Sequence, residues 1–156
     1  MNWCLRTLEG LLTFISIMIS VDFVDLPPIR DLRKRDLKNE VNVLVEHEGF
    51  KCGDVSVLYC TDEYLLDINR KYLNHDYYTD IITFDYSEGE FVSGDLMISW
   101  DRVKDNAIIE NVHPLNELFR VSYHGVLHLC GYKDKEAKDK EVMTQKENFY
   151  LKKFKK

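Results

Sequence analysis

Along this chain the apolar positions switch between a period of two and a period of three to four, and the switches mark its elements. Ile19 to Val24 alternates as a half-buried strand does, and Pro27-Pro28 closes it. Residues 30–48 follow as an amphipathic helix, with Asp31 near its start and Gly49 ending it. Ile29, Leu32, Leu37, Val41, Leu44 and Val45 make up its apolar side. Asp54 to Cys60 alternates again, with Val55, Val57 and Tyr59 on one face. Thr61 then caps a helix whose first turn holds Asp62 and Glu63, at the positive end of the helix dipole. Leu65, Leu66, Ile68 and Tyr72 form its apolar stripe. Ile81 to Tyr86 and Phe91 to Ser99 are strands joined by the turn Ser87-Glu88-Gly89-Glu90, so they should pair antiparallel. A helix over 100–111 ends at His113-Pro114, and a second runs from Leu115 to Cys130. Leu115, Leu118, Phe119, Ser122, Val126 and Leu129 lie at core spacing on it. His124 and His128 fall on another side with Glu117 and Val121. A last helix spans 136–152, with Val142, Met143 and Phe149 facing inward. The expected fold is α+β, a small mixed sheet of about four strands with helices packed over it.

The first seventeen residues do not fit this scheme. Leu11 to Val21 is an apolar run too short for a bilayer, which needs about 20 residues. It has the length of a signal-peptide core. However, Arg6 is the only basic residue ahead of it, Glu9 is present, and no Ala-x-Ala site follows. The simpler expectation is a single domain over 18–156 with translation beginning at Met18. Residues 1–17 are then an extension, either outside the true product or disordered.

Composition narrows the class. A chain of 156 residues is long enough for one well-filled core. Its net charge of −6 is unlike that of a general phosphate binder, which needs Lys and Arg. Local basic stretches exist at Arg30–Lys38 and Lys152–Lys156, and solvated helix faces are their plainer reading. Cys4, Cys52, Cys60 and Cys130 are irregularly spaced, so neither a disulfide framework nor a zinc ribbon is indicated. Cys130 reads as core.

The chemistry is concentrated in His124-Gly125-Val126-Leu127-His128-Leu129-Cys130-Gly131-Tyr132-Lys133-Asp134. Histidines at i and i+4 share a helix face, so both imidazoles reach one ion. Gly131 supplies the left-handed stop that turns the chain back, and Asp134 can then bring a carboxylate to the same ion. Two imidazoles and a carboxylate suit Zn²⁺ and leave a fourth position for water. A bare His pair carries little weight. The full pattern at a helix end carries much more. Glu117 is the candidate for fixing a ring tautomer, with an exposed acid as the plainer reading.

The spacing resembles the metzincin proteases, but the general-base Glu of that family is replaced here by Gly125. His-Gly-x-Leu-His-Leu-x-Gly-Tyr resembles the YbeY family without such a defect, matched at His124, Gly125, Leu127, His128, Leu129, Gly131 and Tyr132. Most members carry a third His where this chain has Asp134. Asn69, Tyr72, Asp76, Thr79 and Phe84, and the strand around Gly94-Asp95, fit the same family, over roughly residues 18–152. The resemblance implies a metal-dependent, single-strand-specific endoribonuclease that matures the 3′ end of 16S ribosomal RNA and serves ribosome quality control. It implies one Zn²⁺ per chain on His124, His128 and Asp134, with His124 and His128 as the catalytic pair. Ribosomal RNA and the ribosome or its proteins are the implied partners, in the cytoplasm and away from membranes. Many members have a substrate-facing Arg where this chain has Leu73. Arg70, Lys71 and His75 are the nearby cations that can replace it, and solvent-facing residues at a helix end are the plainer reading. Two other readings stand beside this one: a zinc protease, and a non-catalytic ribosome-assembly factor with structural zinc.

Overall fold

The computed structural model describes residues 3–8 and 11–156, with side chains from residue 17 onward. Strands β1 (Trp3–Leu8) and β2 (Leu11–Ser16) pair antiparallel in a two-stranded ladder of their own. The expected extension falls partly on residues 1, 2, 9 and 10, which lie outside the described residues.

The other strands form one mixed sheet. They are β3 (Ile19–Phe23), β4 (Lys51–Cys60), β5 (Ile81–Asp85) and β6 (Phe91–Ser99), in spatial order β3-β4-β6-β5. β3 and β6 flank β4 in parallel, and β5 runs antiparallel to β6 at the edge, as the short Ser87–Glu90 turn requires. The crossover between β3 and β4 is α1 (Lys34–His47). It starts later than the periodicity predicts. Asp31 takes a left-handed conformation (φ 65°) and Leu32 N–H bonds back to Ile29, so the chain leaving Pro27-Pro28 turns once before the helix begins. β4 starts three residues earlier than predicted. Lys51 and Cys52 already pair with Phe91 and Val92, and a register shift before Val55 hides the alternation.

The helices divide over the two faces. α2 (Asp62–Leu73) is capped by Thr61, whose hydroxyl accepts from Tyr64 N–H at 3.3 Å. It covers one face, where Leu65 packs with Cys60 and Ile82. The main core lies on the other face, beneath α1, α4 (Pro114–Leu129) and α5 (Ala137–Lys153). α3 (Trp100–Ile109) follows β6 directly and packs against α4. α4 is surrounded by α1, α3, α5, β5 and β6 and is buried nearly all round, which fits its high apolar content. Ser122, at a core position, is satisfied there by Tyr59 Oη (2.8 Å) and the Leu118 carbonyl (2.7 Å). The α+β architecture, with the motif helix against a four-stranded mixed sheet, is as the sequence predicts. Among the described residues no helix is long and apolar enough to cross a membrane.

One ionic knot ties three elements together beside the motif. The Glu48 carboxylate, 6% exposed, accepts from Tyr132 Oη at 2.7 Å, Lys146 Nζ at 2.9 and 3.0 Å, and Tyr150 Oη. Burial alone would raise the Glu48 carboxyl, but the hydrogen bonds from Tyr150, Tyr132 and Lys146 outweigh it and hold the group below its ordinary value. A depressed folded-state value contributes stability above the unfolded carboxyl range, about 4.3, and loses it as pH falls through the folded value. Glu48→Gln should therefore cost on the order of 2 kcal/mol at neutral pH. In urea unfolding the gap from wild type should close as pH drops below about 4. A gap independent of pH would show that packing, and not the carboxylate charge, holds the knot.

Candidate metal centre

The site begins with a helix that has well-made ends. Pro114 stands in the first turn of α4, and the His113 ring Nδ1 accepts from Leu115 N–H at 3.2 Å. At the other end Gly131 takes φ +96°. Its N–H bonds to the His128 carbonyl (2.9 Å), and Tyr132 N–H bonds to the Leu127 carbonyl (3.0 Å). This is the paired closure of a Schellman stop, and only a residue at ease with positive φ completes it. The turn folds Tyr132–Asp134 back against the last turn of the helix.

The rings of His124 and His128 then meet edge to face, 4.5 Å between centroids. Their Nε2 atoms lie 2.9 Å apart, and Asp134 Oδ2 is 3.4 Å from each. Among the described residues these three are the group whose donor atoms fall within 4.8 Å of one another. Their outer partners decide what the inner atoms are. His128 Nδ1 lies 2.9 Å from the Tyr132 carbonyl, which only accepts. His124 Nδ1 lies 2.6 Å from Glu147 Oε1. Burial would raise the Glu147 carboxyl, but the bond to His124 and the charge of Arg120 outweigh it, so it is held low, ionised, and only accepts. In the neutral rings both Nδ1 atoms then carry the proton, and both Nε2 atoms present lone pairs to a shared point. In that form two lone pairs and a carboxylate oxygen converge. That donor set fits a divalent cation.

Behind the rings runs a buried ionic chain that the periodicity of α4 alone does not reveal. Arg120 bonds Glu117 twice (Nε–Oε2 2.8 Å, Nη2–Oε1 2.6 Å) and Glu147 Oε2 once (Nη1, 3.0 Å). Glu117 is 2% and Glu147 4% exposed. Glu117, the candidate for holding a ring tautomer, thus stands one step further out. Glu147 of α5 holds the ring and Glu117 holds Arg120. The signal for Glu147 was present in the last helix. Met143, Glu147 and Tyr150 are its buried positions at i, i+4 and i+7, whereas Val142 and Phe149 are exposed. An acid standing at core spacing marks a buried partner.

The three groups open onto a cleft of about 400 Å³. Its other wall is Thr79, Asp80, Ile81, Thr83 and Asp85. The register explains that wall: Ile81, Thr83 and Asp85 pair with Ile98, Leu96 and Gly94, so they share the sheet face that α4 covers. Strand alternation alone marks 81, 83 and 85 as one face, and this was the signal available for Thr83 and Asp85. Gly125 is what lets α4 approach. A Cβ there would lie 2.6 Å from Ile81 Cδ1 and 2.9 Å from Leu96 Cδ2. Position 125 therefore faces the sheet, and the protease reading loses the one place its general base would occupy.

The three cations offered for substrate stand outside this wall. Arg70 is paired with Asp76 at 2.6 Å and Asp67 at 3.6 Å. Lys71 Nζ lies 5.0 Å from the Tyr72 ring centroid, and His75 stacks on Tyr77. Cys52, Cys60 and Cys130 are buried free thiols, with burial raising each to about 12.

The chain is similar to known proteins over most of its length. A profile of the family described as Endoribonuclease YbeY matches residues 28–155. The Endoribonuclease YbeY of Parabacteroides distasonis is 44% identical over 134 residues, covering 86% of this chain and 92% of that protein. That of Azobacteroides pseudotrichonymphae is 50% identical over 111 residues, covering 71% and 79%. The solution structure of TM1509 from Thermotoga maritima superposes with a TM-score of 0.64 at 26% identity, covering 88% of this chain and 89% of that one. Profile and relatives together match most of the sequence, and the chain belongs to the YbeY endoribonuclease family.

Proposed function

We propose that residues 18–156 form a zinc-dependent endoribonuclease that cuts single-stranded RNA. We place its work in the cytoplasm, in maturation of the 3′ end of 16S ribosomal RNA and in ribosome quality control, with the ribosome or its proteins as partners. The observation that carries the reading is the convergence of His124 Nε2, His128 Nε2 and Asp134 Oδ2, acceptors all, on the floor of an open cleft. Bound there, zinc would activate a water or polarise a phosphoryl oxygen. The chain's own part is to keep both Nε2 lone pairs free, through Glu147 and the Tyr132 carbonyl, and to hold the rings at a fixed angle. An open cleft beside three donors, the group found among the described residues, favours catalysis over a structural zinc role, which would want a fourth protein ligand.

The purified protein should cleave a labelled single-stranded RNA and spare the same sequence as a duplex. It should lose that activity to a chelator and regain it with about one equivalent of Zn²⁺. Cleavage that survives full removal of metal would overturn the reading.

A further inference from the structure

The loop joining α2 to β5 carries more exposed aromatic surface than a connection needs. Tyr77 and Tyr78 are 57% and 46% exposed, and Tyr72, in the last turn of α2, is 56% exposed. The loop is nevertheless well held. Asn69, buried in α2, donates from Nδ2 to the Tyr77 carbonyl at 2.9 Å and accepts at its own carbonyl from His75 N–H at 3.2 Å. Asn74 closes the helix in a left-handed conformation. Tyr77 stacks on His75, with centroids 5.1 Å apart and planes at 24°, and its hydroxyl meets His75 Nδ1 at 3.1 Å. Tyr78 Oη donates to Glu63 at 2.6 Å beneath the Arg102 guanidinium. The rings are held in place, and Tyr77, stacked on one side by His75, remains more than half exposed.

The position is specific. Tyr77 precedes Thr79 by two residues and Asp80 by three, and both line the metal cleft. Two residues of chain reach at most about 7 Å. The charge is specific too. Asp76 and Asp67 engage Arg70, and Glu63 and Asp80 add to the acid, so this surface offers phosphate little. Flat exposed rings beside the cleft, with Arg70 already paired to Asp76 and Asp67, match one chemistry. Unpaired bases stack on aromatic faces whatever the base, and need no cation to do so.

We propose that the Tyr77–His75 stack is a platform for an unpaired base of the RNA strand that enters the metal cleft. The proposal rests on the endoribonuclease reading and names how that substrate is gripped. Selection for single strands follows, because a paired base has no free face to offer.

The test is steady-state cleavage of a single-stranded RNA by the zinc-loaded protein and its Tyr77→Leu and Tyr77→Phe variants. The Asn69 anchor is to the Tyr77 carbonyl, so both variants keep it. Tyr77→Leu should raise KM roughly five- to 150-fold with kcat nearly unchanged, the usual cost of one lost base stack. Tyr77→Phe should stay near wild type. Single abasic nucleotides scanned along the strand should reveal a position that costs the wild type as much and costs Tyr77→Leu nothing. Unchanged KM in Tyr77→Leu, with wild-type cleavage intact, would overturn the platform and leave the endoribonuclease reading standing. A Phe variant as weak as Leu would overturn it as well, by assigning the effect to the hydroxyl. Absence of RNA cleavage by the wild type would remove both.

Discussion

His128→Ala should empty the metal centre and reduce RNA cleavage by about a thousandfold or more, while the fold persists. The size follows from what is removed. A Lewis acid in the site contributes several kcal/mol to the charged transition state, and about 1.4 kcal/mol is tenfold in rate. Without His128, only His124 Nε2 and Asp134 Oδ2 converge, and two monodentate groups hold zinc poorly. The fold survives because the ring is at the rim, with its side chain 26% exposed. Among the described residues, its hydrogen bond outside the donor group goes to the Tyr132 carbonyl, which can turn to water. Metal content by elemental analysis, far-ultraviolet circular dichroism and cleavage should be measured on the same sample. A folded variant that keeps a full equivalent of zinc and cleaves at the wild-type rate would sink the assignment.

Glu147→Leu should weaken metal binding and the fold together, and the two effects separate experimentally. The carboxylate does two jobs: it fixes the His124 tautomer at 2.6 Å and neutralises Arg120 at 3.0 Å. Losing the first should lower zinc affinity about 10- to 100-fold, as when the outer partner of a ligand His is removed. Losing the second removes one charged hydrogen bond while Arg120 keeps both bonds to Glu117, a loss of about 1.5–3 kcal/mol. Urea unfolding of the metal-free protein reads the second effect, and competition against a zinc indicator reads the first. Glu147→Gln keeps one carbonyl acceptor, which His124 and Arg120 would compete for, and should fall between wild type and Leu in both. A Leu variant with unchanged zinc affinity would mean that packing alone orients the His124 ring.

How far the sequence alone reached depended on how local each feature is. The convergence of His124, His128 and Asp134 was legible because all three lie between 124 and 134, and helix period plus a glycine stop place them without any knowledge of the fold. Glu147 was not. It is 23 residues from His124, and its burial exists only once α5 docks on α4. Taking Val142 and Phe149 as inward set the helix face wrongly and hid it. The antiparallel β5–β6 pair was legible from a short turn. The early start of β4 was not, since the irregularity between Cys52 and Val55 breaks the alternation. Charge counting offered Arg70 as a cation for phosphate, but counting cannot show that Asp76 lies 2.6 Å away.

The stop after α4 also fixes a length. Counting from His128, the chain has six residues in which to place Gly131 at φ +96°, return the Tyr132 carbonyl to the His128 ring, and deliver Asp134 to both Nε2 atoms. One residue added or removed there displaces a ligand and the group that orients another ligand in the same event. Surface connections between helices are ordinarily where insertions and deletions accumulate most freely. In this protein the connection between its last two helices has no slack, and natural variation in it should run through side-chain identity at fixed length.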